Sequence, residues 1–153
     1  MTDFSIKPED PGQPDVLALL AAGEAFGAAL YPAESNHYLP LDALRAPGVL
    51  FLVARDEHGT AIGTGAVVLN EGWAEIKRIW VEPHMRGHGL ARRILDRLEA
   101  HARAAGIRVL RLETGVYNDA SQHLYARTGF CKRDAFPPYL PDPLSVFMEK
   151  RLD

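Results

Sequence analysis

The stretch Arg86-Gly87-His88-Gly89-Leu90-Ala91-Arg92-Arg93 joins a β-patterned run, Ile79-Trp80-Val81, to a helix-patterned one. Its glycines let main chain come close to a ligand, and the start of a helix offers N–H groups without partners, so the turn suits an anion. Two nucleotide readings fail on detail. A Walker-type phosphate loop requires Gly-Lys-Ser/Thr, which does not follow here. A dinucleotide fingerprint requires a third glycine where Arg92 stands, to let the helix pack closely on the strand.

Other residues with chemical potential are less organised. His84 and His88 are four apart, but Pro83 and the glycines interrupt any helix that would align them as metal ligands. His37, His58, His101 and His123 show no ligand spacing, so no metal is expected. Cys131 is the sole cysteine and follows Gly129-Phe130 at a strand start, which reads as packed rather than nucleophilic. A lone cysteine forms no internal disulfide, and a reducing cytoplasm is the expected compartment.

The elements that must position these residues fit one domain spanning residues 1–153, with 47% apolar and 24% charged residues. A net charge of -3 speaks against a dedicated nucleic-acid binder. No apolar run approaches the ~18 residues of a membrane span, and the polar segment Met1 to Pro14 has no signal pattern. Phe4 to Lys7 reads as a short strand. A helix is expected from an N-cap at Asp15, and a short one before Pro47. The run from Val49 to Leu69 reads as a β-hairpin, two apolar runs joined by a polar turn around His58 and Gly59, and Ala74 to Val81 is the next strand. Leu90, Ile94, Leu98 and Ala102 recur every four residues, an amphipathic helix closed by Gly106. A strand over Ile107–Thr114, a helix begun at Asn118 or Asp119, and a last strand over Ser145–Leu152 complete an α/β (α+β) domain around a mixed sheet.

Three segments in order carry a family resemblance. Arg86-Gly87-His88-Gly89-Leu90-Ala91 matches the Arg/Gln-x-x-Gly-x-Gly/Ala signature of the GNAT superfamily of N-acetyltransferases. Ala74-Glu75-Ile76-Lys77-Arg78-Ile79-Trp80-Val81-Glu82-Pro83 resembles its central strand. Asn118-Asp119-Ala120-Ser121-Gln122-His123-Leu124-Tyr125-Ala126-Arg127-Thr128-Gly129-Phe130 resembles its Asn-x-x-Ala-x-x-x-Tyr-x-x-x-Gly-Phe segment. The resemblance covers roughly residues 48 to 134. It implies a three-layer fold, with a twisted mixed sheet of six or seven strands flanked by about four helices and splayed to admit acetyl-coenzyme A.

By the same resemblance, main chain of Arg86, Gly87, His88, Gly89, Leu90 and Ala91 would hold the pyrophosphate. Ile79, Trp80 and Val81 would pair with the pantetheine arm, and Asn118 would hydrogen-bond it. Tyr125 would protonate the departing thiolate, and Glu75 would take the amine's proton. Acetyl transfer requires such groups, since the amine must shed a proton while charge develops on the leaving sulfur. The acceptor would lie between the loops Tyr31–Leu41 and Phe136–Phe147, with Glu34, His37, Tyr139 and Asp142 as candidate contacts. The carboxylates favour a cationic amine, whereas His37 and nearby basic residues favour an amino acid's carboxylate, and the sequence leaves both open. The expected function is therefore acetyl transfer to a small-molecule amine or amino acid, with no nucleic acid and no membrane involved. A homodimer is compatible with this reading. The alternatives are acetylation of a protein N-terminus or lysine, and a non-catalytic module that binds acetyl-coenzyme A and regulates a partner.

Overall fold

The computed structural model describes residues 3–153, and Met1 and Thr2, which open the polar N-terminal stretch, lie outside it. Seven strands form one sheet in the order β1-β2-β3-β4-β5-β7-β6: β1 Ser5–Pro8, β2 Val49–Arg55, β3 Ala61–Leu69, β4 Ala74–Val81, β5 Val109–Gly115, β6 Cys131–Arg133 and β7 Ser145–Arg151. Neighbours are antiparallel except β4 and β5, which run parallel. A parallel pair needs a crossover, and α3, Leu90–Ala104, supplies it.

Helices cover both faces. α1, Pro14–Leu30, and the single turn α2, Leu41–Leu44, share a core with Phe51, Val53 and Ala66. On the other face α3 and α4, Asp119–Arg127, pack with Leu52, Val67, Ile76, Leu110 and Leu112. The four-residue apolar stripe of α3 is realised as read: Leu90, Ile94, Leu98 and Ala102 are fully buried. Burying Ile94 and Leu98 contributes about 1.5–3 kcal/mol each relative to exposure. Gly65 makes the approach of α3 possible, because a Cβ there would stand 2.4 Å from Ile94 Cγ2.

The expected start of α1 shifts. Its N-cap is Gln13, not Asp15, and Pro14 begins the helix, where a missing N–H costs nothing. Asp15 lies in the first turn and bonds Arg55 at 2.7 Å. Strand alternation in β4 also fails part-way. Arg78 has φ 57, and the β3–β4 register slips between Thr64 and Ala66. Strict alternation would put Arg78 and Trp80 with Ile76. The bulge instead places Ile76 and Ile79 toward α3, while Trp80 packs with the α1 core and Arg78 reaches Leu39 and Glu24 beside it. Among the described residues, no helix is long and apolar enough to cross a membrane.

Candidate active site

β4 and β5 pair only at Ala74–Leu110 and Glu75–Arg111. Beyond those residues the strands part, and a cavity of about 920 Å³ occupies the wedge. Groups from both faces of the sheet reach it there.

At one end lies the glycine turn. Gly87 and Gly89 adopt φ 85 and φ 76, and nothing stands within 4 Å of where a Cβ would sit on either. The N–H groups from Gly87 to Arg92 meet no acceptor among the described residues, and α3 has no side-chain cap. Such a cluster of unpaired donors at the positive end of a helix dipole is a cradle for an anion. Gly87, Gly89, Leu90 and Ala91 line the cavity. His88 does not: its ring lies edge-on to Phe4 with centroids 6.4 Å apart. Arg86 lines the cavity but folds back, its Nε donating to the Val81 carbonyl at 3.0 Å and its guanidinium 4.9 Å from the Trp80 ring centre. Ile79, Trp80 and Val81 form the β4 wall. Trp80 Nε1 is buried there without a partner among the described residues.

α4 forms the opposite wall. The Asn118 side chain accepts the Ser121 N–H at 3.3 Å, capping the helix, and Asn118 also lines the cavity, so capping and ligand contact are compatible. Tyr125 is 6% exposed, yet its hydroxyl makes no hydrogen bond among the described residues and is not a buried orphan, so it opens on the cavity. Burial, and then the charge of Glu113, push the Tyr125 phenol well up from its ordinary value, which keeps the proton available for donation.

The far end departs from what the sequence suggests. Glu75 is buried but does not line the cavity. Its Oε2 accepts from the Tyr139 hydroxyl and lies 3.5 Å from Lys77 Nζ. Lys77 donates further to Tyr139 at 2.7 Å and to the His37 carbonyl at 2.8 Å. Tyr139 therefore stands behind the cavity as part of this buried knot. Asp142 accepts from Ser35 Oγ and the Leu144 N–H, both at 2.8 Å, which holds its carboxyl below the usual carboxylate range. Glu34 is exposed and, like Asp142, faces away from the cavity. Of the four candidate acceptor contacts, His37 alone lines it.

Two carboxylates line the cavity: Asp119, exposed in the first turn of α4, and Glu113 on β5, which is partly buried. Desolvation raises its pKa, opposed by a 2.8 Å hydrogen bond from Ser145 and by the charges of His37 and Lys77. Its own charge raises the pKa of Tyr31, Tyr38, Tyr125 and Tyr139, which puts it among these tyrosines, within reach of both ends of the wedge. A trace of it was legible: Arg111, Glu113 and Gly115 alternate with buried Leu110 and Leu112, and a carboxylate facing inward on a strand covered from both sides is unusual.

The acetyltransferase (GNAT) family model matches residues 18–130. The chain belongs to that family. It is 47% identical to the IAA acetyltransferase of Azospirillum brasilense, over 99% of this chain and all of that one. A Klebsiella pneumoniae structure described as a candidate acyl-CoA N-acyltransferase is 41% identical, with a TM-score of 0.83 over 98% of each chain. The fold is shared more widely: the PaiA N-acetyltransferase of Thermoplasma acidophilum, solved with coenzyme A, reaches a TM-score of 0.78 at 20% identity, covering 97% of this chain and 99% of that one.

As a GNAT member the chain is an acyltransferase that draws its acetyl group from acetyl-coenzyme A. The cavity's residues fit that co-substrate. The donor-rich turn matches a pyrophosphate, and the splayed edge of β4 leaves room for an extended arm.

Proposed function

We propose that this enzyme moves the acetyl group to a primary amine of a small molecule by direct attack within a ternary complex. Tyr125 acts as the general acid, and Glu113, in place of Glu75, as the general base. The observation that carries the reading is the meeting of these two groups in the wedge. Tyr125 comes from the α4 side of the sheet and Glu113 from the α1 side.

Acetyl-coenzyme A supplies the thioester, whose C–S bond is exchanged for a C–N bond to the acceptor. Glu113 receives the proton that the nitrogen sheds as it bonds to carbon. Its raised pKa suits it to this role, because a base works best near the pH at which it operates. Tyr125 gives its proton to the sulfur, and both residues reset by exchange with water. Glu75 is less suited, since Lys77 and Tyr139 already occupy Oε2 outside the cavity.

A small acceptor is favoured over a peptide by the way the far end is closed. Ser35–Asp142 and the Lys77 contacts to His37 and Tyr139 stitch the loop after α1 to the loop before β7. An N-terminal or lysine acetyltransferase needs an open groove there. A regulatory module without catalysis has no use for Glu113 held at a desolvation cost. One relative carries the name IAA acetyltransferase, so IAA belongs in the acceptor screen.

The test is a screen of amines with coenzyme release as readout. Glu113→Gln and Tyr125→Phe should each cut kcat by about 10²–10⁴-fold while acetyl-coenzyme A still binds within a few-fold of the parent affinity. Wild-type turnover in Glu113→Gln at neutral pH would remove the base assignment. Binding of acetyl-coenzyme A with no acceptor used would favour the regulatory module.

A further inference from the structure

We infer that the acceptor is an amine carried on a flat aromatic body without a carboxylate, its nitrogen at Glu113 and its ring against Tyr31 and Tyr117. The inference rests on the acetyl-transfer reading above and narrows its substrate.

The aromatic part follows from what surrounds Glu113. Gly115 lies two residues on, on the same face of β5, and Tyr31 sits directly over it: a Cβ at Gly115 would meet the Tyr31 hydroxyl oxygen at 1.9 Å. That oxygen accepts the Tyr117 N–H at 2.9 Å, and the two rings stack at 15° with centroids 5.6 Å apart. Tyr117 is nonetheless 59% exposed. Phe26 and Tyr38 also line the cavity with much of their surface in solvent. Aromatic surface left open around a cavity marks a place where a ligand completes the packing. A stacked pair with an open side extends naturally by another ring.

The absence of a carboxylate follows from where the cations are committed. Lys77 donates to Tyr139 and the His37 carbonyl and pairs with Glu75 at 3.5 Å. Arg78 donates to the Leu39 carbonyl, pairs with Glu24 at 3.2 Å and lies 5.0 Å from the Tyr38 ring centre. His37 packs edge-on against Tyr139, and its charge acts on the carboxylates of Glu113 and Asp142. The remaining arginines in the lining, Arg86, Arg92 and Arg127, belong to the turn and to α3 and α4, at the coenzyme end. Glu113 has no salt-bridge partner among the described residues, its one hydrogen-bond donor being the Ser145 hydroxyl. An incoming ammonium meets a carboxylate that has no ion-pair partner among the described residues. An incoming carboxylate meets that same negative charge, while Lys77 and Arg78 are already held by partners within the chain.

The experiment compares four acceptors in steady state: phenethylamine, butylamine, phenylalanine and a short peptide with N-terminal phenylalanine. Phenethylamine should have the highest kcat/KM, exceeding butylamine and phenylalanine by at least about 10-fold each. Tyr117→Leu should raise the phenethylamine KM by about 3- to 10-fold with kcat retained, and the butylamine KM by less. Equal losses on both amines would make Tyr117 a structural residue and overturn the aromatic subsite. A preference for phenylalanine or the peptide would overturn the substrate class and leave acetyl transfer standing. Should none of the four be acetylated while acetyl-coenzyme A binds, the substrate class falls, and the broader amine screen decides the acetyl-transfer reading separately.

Discussion

The coenzyme end and the acceptor end of the cavity are built from different parts of the chain and by different means. The coenzyme end is almost entirely main chain, drawn from consecutive residues between Gly87 and Arg92 whose N–H groups have no acceptor among the described residues. Its side chains matter little: His88 leans on Phe4, and Arg86 folds over Trp80. The acceptor end is made of side chains from segments far apart in sequence. Ser35 reaches Asp142 across 107 residues and Tyr139 reaches Glu75 across 64. One end is specified by what the backbone is allowed to do, the other by which side chains find one another.

The contrast breaks or holds most clearly at the turn. Gly89→Asp places a negative side chain beside the anion cradle at a backbone φ of 76, which favours glycine. Affinity for acetyl-coenzyme A should fall by roughly 10²-fold, and the thermal stabilisation it confers should vanish at matched concentration. Arg86→Ala should cost only about 3-fold, the scale of one exposed charge. Calorimetric titration of both variants decides the matter. If Arg86→Ala proves as damaging as Gly89→Asp, the turn works through side-chain charge and the contrast is false.

That division also explains what could be read in the sequence. A main-chain cradle is written in contiguous residues, so Arg86 to Ala91 announced it, and the apolar stripe of α3 announced the helix behind it. The place of Tyr125 in the cavity was legible for the same reason, as it rests on the one segment Asn118–Phe130. The acceptor end was not. Glu34, Tyr139 and Asp142 lie on the expected loops, yet two of them serve to tie those loops down and Glu34 points outward. Which of two inward carboxylates, Glu75 or Glu113, meets the cavity depends on where β4 and β5 separate and on Lys77 and Tyr139 closing over one of them. No local pattern records that. The bulge at Arg78 is similar: it turns two neighbours, Lys77 and Arg78, toward one face, and strand alternation alone argues against it.

A smaller effect separates the two carboxylates. Glu75→Gln keeps an acceptor for Tyr139 and loses the ion pair with Lys77, so it should loosen the acceptor loops without touching the proton transfer. The acceptor KM should rise about 3- to 10-fold, as expected for weakening one buried charged contact, with coenzyme affinity and the pH profile of kcat unchanged. A kcat that falls at neutral pH and recovers as pH rises would instead restore Glu75 as the base.

The smallest effect is on stability, and it tests Glu113 without any substrate. Burial raises the carboxyl pKa of Glu113 in the folded protein above 4.5. Between that ordinary value and the raised one, the native state holds a proton that the unfolded chain has released. Stability then declines as pH climbs through the window, because the unfolded state binds fewer protons there. At neutral pH the ionised side chain is a net cost, only partly offset by the Ser145 hydrogen bond and the neighbouring charge of Lys77. Glu113→Gln removes the charge and retains an oxygen for Ser145. It should therefore unfold at a higher temperature than the parent at pH 7, by about 2 °C for a chain of this size. The gain should shrink as pH falls through that window and be gone below 4.5, where the parent's carboxyl is protonated in both states. Differential scanning calorimetry across that range reads both features. A Tm at pH 7 below the parent's would mean that Glu113 is a structural anchor, whereas a more stable and inactive variant is what a base held in a desolvated cavity requires.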